Sequence, residues 1–131
     1  MSHHRRMKEQ GKDGHQILVV DDEPSVCRAI KMLLEFDGHE VQTADSGEAA
    51  LGIFAPGRFD LVITDYSMKE MKGDQLAALI KQRHPAQPII MATAFAHELK
   101  AAGTLNGDVD FILNKPFSQA DLREAIARVL R

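Results

Sequence analysis

Asp21, Asp22, Asp65, Thr93 and Lys115 follow short apolar runs at four separate places in the chain, and these residue types could do chemistry together. Asp21-Asp22-Glu23 ends the run Ile17–Val20, Asp65 follows Leu61-Val-Ile63, Thr93 follows Pro88–Ala92, and Asn114-Lys115 follows Val109–Leu113. Two carboxylates about 4 Å apart repel by roughly 4 kcal/mol at an effective dielectric near 20. Three of them against one ammonium leave a charge of −2, so a carboxyl takes up a proton or a cation binds. Hard oxygen ligands without His or Cys favour Mg2+, or Mn2+ in its place. A metal that keeps exchangeable waters suits an anionic phosphoryl group. Asp65, at the end of the middle run, would be the in-line nucleophile, giving an aspartyl phosphate. Lys115 would pair with one phosphoryl oxygen and the Thr93 hydroxyl would donate to another.

Such a cluster requires the runs to be neighbours in one sheet. Between them lie helical patterns. Pro24 opens one whose apolar residues Val26, Ile30, Leu33 and Leu34 recur until Asp37-Gly38. Glu40–Ala44 is a short alternating strand. Asp45-Ser-Gly-Glu48 reads as an N-cap with its reciprocal Glu, opening a helix through Phe54. Leu76, Leu79 and Ile80 mark a third helix, stopped by His84-Pro85, and His97–Leu105 a weak fourth, interrupted by Gly103. Ser118 with Asp121 caps a last helix with the stripe Leu122, Ala125, Ile126, Val129 and Leu130. Strands that are continuously apolar are buried on both faces, so five βα units predict a doubly wound parallel sheet of five strands between two layers of helices, an α/β fold. All strand ends then share one edge, where ligands bind in open α/β sheets. Glu23 is read as a first-turn helix residue favoured by the helix dipole, not as a metal ligand.

With 131 residues, 44% hydrophobic and 27% charged, the chain has the length and composition of one globular domain. Residues 1–15 are read as a flexible leader and 16–131 as the domain. The leader holds four basic and two acidic groups, leaving +2; the rest holds 12 basic and 17 acidic groups, leaving −5. An acidic body argues against direct nucleic-acid binding, whose affinity comes mainly from neutralising phosphates. A single cysteine, Cys27, excludes an internal disulfide and fits a reducing cytoplasmic setting, with the thiol read as a quiet core group. No run approaches a membrane span, so no membrane partner is expected. His39, His84 and His97 have no ligand spacing and read as surface residues; Met32, Met68, Met71 and Met91 read as packing residues.

Ile-Leu-Val-Val-Asp21-Asp22-Glu-Pro, Asp60-Leu-Val-Ile-Thr-Asp65, Ile-Ile-Met-Ala-Thr93-Ala and Lys115-Pro116-Phe117, in that order from Ile17 to Leu130, resemble the receiver domain of two-component response regulators. The resemblance implies a flavodoxin-like sandwich with strand order 2-1-3-4-5. It implies Asp65 as phosphoacceptor, Asp21 and Asp22 as the acidic pair that organises Mg2+, and the backbone carbonyl of Ser67 as the remaining protein ligand. Thr93 and Lys115 match the switch hydroxyl and the phosphate-binding lysine, and the peptide before Pro116 is expected to be cis. The implied partners are a sensor histidine kinase or histidine phosphotransfer protein and a downstream effector protein. The domain would be a switch that catalyses its own phosphorylation, and its dephosphorylation, without turning over a separate substrate.

The chain departs from the family pattern at three places. Met68 is followed by Lys69 where the family often has proline, so the loop is expected to be less rigid. Three residues before Lys115 the family usually has Tyr or Phe; here it is Ile112, with Phe111 one residue earlier and so on the opposite face. No output domain follows Leu130, so any output is expected from another protein, whether the receiver stands alone or is attached to a hybrid kinase. The Ile112 departure supports a different reading, a phosphorylation-independent adaptor. A third reading, an aspartyl-nucleophile phosphatase, lacks its acid/base carboxylate, because Ser67 stands two residues beyond Asp65.

Overall fold

A computed structural model describes residues 14–103 and 107–130. In chain order the elements are β1 (Gln16–Val20), α1 (Pro24–Phe36), β2 (Glu40–Ala44), α2 (Gly47–Ile53), β3 (Leu61–Asp65), α3 (Gly73–Arg83), β4 (Ile89–Thr93), α4 (Ala96–Ala101), β5 (Phe111–Asn114) and α5 (Gln119–Val129). The strands form one parallel sheet in the order β2-β1-β3-β4-β5. The expected α/β sandwich is the one observed. Strand order reverses at β1, so the ends of β1 and β3 flank the point where the chain winds to opposite sides.

Alternation along the central strands divides the core in two. Ile17 and Val19 of β1, Leu61 and Ile63 of β3, and Ile90 and Ala92 of β4 pack with Ile30 and Leu34 of α1 and Leu122, Ala125 and Ile126 of α5. Leu18, Val20, Val62 and Ile89 point the other way, onto Ala50 and Phe54 and onto Leu76, Ala77 and Ile80 of α3. The apolar runs of these strands are buried from end to end, which explains why they are unbroken, whereas edge strand β2 keeps exposed Glu40, Gln42 and Thr43. Each fully buried Leu or Ile contributes roughly 1.5–3 kcal/mol relative to exposure.

Several local expectations are corrected. The N-cap of α2 is Ser46, whose Oγ accepts the Ala49 N–H at 3.0 Å. A reciprocal acid would have to stand at position 49, and Glu48 falls one residue short. Helix α1 starts after Glu23, which occupies the cap position without using its side chain as a cap. Strand β5 begins at Phe111 and not Val109, because the Asp110 carboxylate takes the Ile89 N–H at 2.8 Å and the ladder starts beyond it. Helix α4 closes at Ala101, and Gly103 turns the chain with φ +67°; the last two residues of the expected helix, 104 and 105, lie outside the described residues. Met32 is 69% exposed and packs nothing into the core. His39 is half-buried, stacked on His15 with ring centroids 5.6 Å apart, and His84 is half-buried too.

Of the expected leader, residues 1–13 lie outside the described residues. Gly14 and His15 are packed: Gly14 is buried and the His15 carbonyl accepts the Glu40 N–H at 2.9 Å. The capping box of α5 is as read, Ser118 Oγ accepting from Asp121 N and Asp121 Oδ2 from Ser118 N, each at 3.0 Å. Among the described residues no helix is long and apolar enough to cross a membrane.

Candidate functional site

β1 and β3 are adjacent and parallel, with Val20 beside Thr64, so the residues that follow them meet at one edge. There one carboxylate oxygen from each of Asp21, Asp22 and Asp65 lies within 4.8 Å of the other two. Lys115 reaches in from the end of β5: its Nζ donates to Asp21 Oδ2 at 3.0 Å and to Asp65 Oδ1 at 3.3 Å. Asp21 is buried and its Oδ1 accepts the Glu23 N–H at 2.9 Å, which fixes the first carboxylate against the start of α1. Asp22 is half-buried, and its Oδ2 accepts the Lys69 N–H at 3.2 Å.

Burial pushes the Asp65 carboxyl above the usual range; the Lys115 charge pulls it down and the Asp21 charge pushes it further up. Burial works against the Lys115 charge, but the hydrogen bond to Asp21 and the charges of Asp65 and Asp21 outweigh it, so the ammonium is held more firmly than in water. The three carboxylates offer a ligand set made of oxygen alone, and with one ammonium beside them they keep negative charge to spare for a hard divalent cation. The acidic pocket could bind a metal ion.

Thr93 closes β4 and is buried. It stands one register position beyond Ala92, the partner of Asp65 on β3. Its carbonyl accepts the Lys115 N–H at 2.8 Å, tying the two strand ends together, and its Oγ1 accepts the Phe95 N–H at 3.1 Å. The Lys115-Pro116 peptide is cis. Ser67 is exposed on the loop after β3, at the centre of a turn in which Met68 N donates to Tyr66 O at 3.1 Å. Of the residues singled out from sequence, Lys115 therefore bonds both Asp21 and Asp65, Asp22 lies beside the two carboxylates, Thr93 stands on the neighbouring strand end and Ser67 on the rim.

The aromatic offset is real in three dimensions. Phe111 pairs with Ile90 and, half-buried, packs against the core on the side of α1 and α5, with the Arg128 guanidinium 5.9 Å from its ring centroid. Ile112 pairs with Met91 on the other face. Cys27 is buried as expected, its thiol 3.2 Å from the Asp21 carbonyl oxygen; burial and the Asp21 charge push its pKa up, away from a reactive thiolate.

Sequence reasoning missed what the loop after β3 does. A Cβ at Gly73 would run into the Asp65 carbonyl, and the Gly73 N–H donates to Tyr66 O at 2.9 Å. The start of α3 is thus pressed directly against the backbone of Asp65. Glycine in a loop ahead of an apolar helix was the signal available, and it does not by itself tell a close approach from a turn.

A family model described as the response regulator receiver domain matches residues 17–127. The response regulator protein FleR of Pseudomonas aeruginosa is 36% identical over 114 residues, 86% of this chain and 24% of that protein. The probable transcriptional regulator ycf27 of Cyanidium caldarium is 37% identical over 123 residues, 93% of this chain and 49% of that protein. The chain thus spans about a quarter to a half of the length of these curated relatives. Among solved structures, the response regulator protein TrrA of Thermotoga maritima in complex with Mg2+ and BeF has 35% sequence identity and a TM-score of 0.79, covering 88% of this chain and 98% of that one.

Proposed function

The chain belongs to the response regulator receiver domain family, and on that premise we propose that Asp65 takes a phosphoryl group from a phosphohistidine on a sensor histidine kinase or histidine phosphotransfer protein. Receiver domains are signalling switches, and the proposed output is altered affinity for a downstream effector protein. The contact of Lys115 Nζ with both Asp21 and Asp65, beside Asp22, carries the reading. It supplies a nucleophilic carboxylate, a fixed cation and a surplus of oxygen ligands in one place.

Asp21, Asp22, Asp65 and the Ser67 carbonyl would hold Mg2+, or Mn2+. Bound there, the ion would neutralise charge on the phosphoryl oxygens. A carboxylate oxygen of Asp65 forms the new bond to phosphorus as the phosphorus–nitrogen bond of the donor breaks, its electron pair leaving with the imidazole. Lys115 remains beside the phosphorylated carboxyl and pairs with a phosphoryl oxygen. The Thr93 hydroxyl, which accepts from Phe95, still carries a proton to donate to another. Dephosphorylation by water at the same site completes the cycle. The reading places the domain in the cytoplasm, with no nucleic-acid contact of its own within these residues.

Treatment with a small acyl phosphate and Mg2+, followed by intact-mass measurement, is expected to give one phosphoryl adduct that Asp65→Asn abolishes. No adduct, or an adduct surviving the substitution, would sink the proposal. Placement of Phe111 on the α1–α5 side leaves Ile112 where the family's aromatic stands, and this favours a second reading, the phosphorylation-independent adaptor. Equal partner affinity for the unaltered chain and Asp65→Asn, with and without phosphodonor, would select it.

A further inference from the structure

We infer that the backbone N–H of Lys69 is a positioning group for the metal site, strapping Asp22 across it where the family often has a proline that could not donate. The inference rests on the proposed reading of Asp22 as a metal ligand. Asp21 and Asp65 share the Lys115 ammonium, but Asp22 forms no ion pair among the described residues and faces both carboxylates within 4.8 Å. Repulsion drives a half-buried carboxylate in that position outward, toward water. The Lys69 N–H, 3.2 Å from Asp22 Oδ2 and 47 residues away in sequence, opposes it.

The backbone around Lys69 is bent to present that N–H. The Lys69 carbonyl accepts the Met71 N–H at 2.7 Å around Glu70, which holds φ +68°. A γ-turn with positive central φ is the rarer and more strained kind, and such a conformation in a non-glycine residue persists where the surroundings over-determine it. The far end of the loop is held as well, by the Gly73 N–H on Tyr66 O and the contact of Gly73 with the Asp65 backbone. Lys69 lies two residues beyond Ser67, so the strap ties the loop carrying the proposed carbonyl ligand to the loop carrying Asp22. A hydrogen bond orienting a ligand before the ion arrives raises affinity, and a proline here would bring backbone stiffness without that bond.

The test compares Mg2+ binding to the unaltered chain, Lys69→Ala and Lys69→Pro by isothermal titration calorimetry. Alanine keeps the N–H and removes the side-chain charge, so it is expected to bind Mg2+ at least as tightly as the unaltered chain. Proline removes the N–H and is expected to bind about tenfold more weakly than the alanine variant, as losing a hydrogen-bonding partner of a ligand does. Equal affinity of the two variants overturns the strap and leaves the metal reading standing; absence of Mg2+ binding to the unaltered chain overturns both. Should Lys69→Pro fail to fold, the Lys69 amide decides by NMR. Without metal it should exchange more slowly in the unaltered chain than in Asp22→Ala, and equal exchange overturns the strap.

Discussion

Asp65 carries two demands that pull against each other. As the proposed nucleophile it must be ionised, yet burial and the Asp21 charge favour its protonated form, and Lys115 offsets only part of this. A carboxyl whose folded pKa lies above its unfolded value costs stability at all pH values above the folded pKa. That cost is relieved as pH falls through the raised value, because the folded state then takes up its proton first. Asp65→Asn is therefore expected to stabilise the metal-free domain at pH 8 by up to about 1 kcal/mol, after allowance for solvent screening of a partly exposed group. The gain should fade as pH drops toward about 4, where the unfolded carboxyl is protonated too. Urea unfolding of both proteins at the two pH values measures it, and a gain that grows toward low pH contradicts the electrostatics. At this scale the sequence was informative where side chains make up the candidate site: Asp21, Asp22, Asp65 and Lys115 were legible from their place at strand ends. The Lys69 amide and the Gly73 approach were not, because a backbone group and a missing Cβ act through conformation, which residue type does not reveal.

Strand register is held at the opposite edge of the sheet by a device used twice. Asp60 N donates to Gln16 O at 2.7 Å while Asp60 Oδ2 accepts from Gln16 N at 2.8 Å, which clamps β3 to β1. Asp110 N donates to Ile89 O at 2.8 Å while Asp110 Oδ2 accepts from Ile89 N at 2.8 Å, clamping β5 to β4, and Lys81 Nζ adds a bond at 3.0 Å. Each aspartate stands one residue before its strand, so both clamps set the register that delivers Asp65 and Lys115 to the site. Ile89 is fully buried, and leaving its N–H without a partner costs about 1–3 kcal/mol. Asp110→Ala is expected to lose about that much in urea unfolding, while Asp110→Asn, which keeps an acceptor oxygen, should lose less than half of it. Equal losses would mean that the charge, and not the acceptor, matters. The same aspartate explains why the start of β5 was misplaced by two residues. Hydrophobic runs mark where a strand is buried, but the first ladder bond depends on a competitor side chain that periodicity does not register. The α2 cap slipped by one for a related reason, since Asp45 and Ser46 are both good caps and only the backbone geometry chooses between them.

At the scale of the whole molecule, the parallel topology gathers three of the body's carboxylates at one end of the sheet and leaves a single ammonium among them. A fold that concentrates like charge pays in stability for a site that a cation can fill. The linkage is quantitative: a ligand that binds only the folded state stabilises it by about 1.4 kcal/mol at a tenfold excess over its dissociation constant. For a domain of this size that corresponds to a rise of about 5 °C in Tm. Mg2+ is expected to raise the Tm in this way, and Asp22→Ala to remove most of the rise, since Asp22 is a proposed ligand that makes no bond to Lys115. Asp65→Asn should show a higher starting Tm and a smaller rise, because the charge that the ion neutralises has already been removed. The two substitutions thus separate ligand loss from charge relief, and differential scanning calorimetry across a Mg2+ series reads both. A Tm rise of the same size in all three proteins would place the ion elsewhere on the acidic surface, and the strand-edge cluster would then be a salt-bridged corner of the sheet without a resident cation.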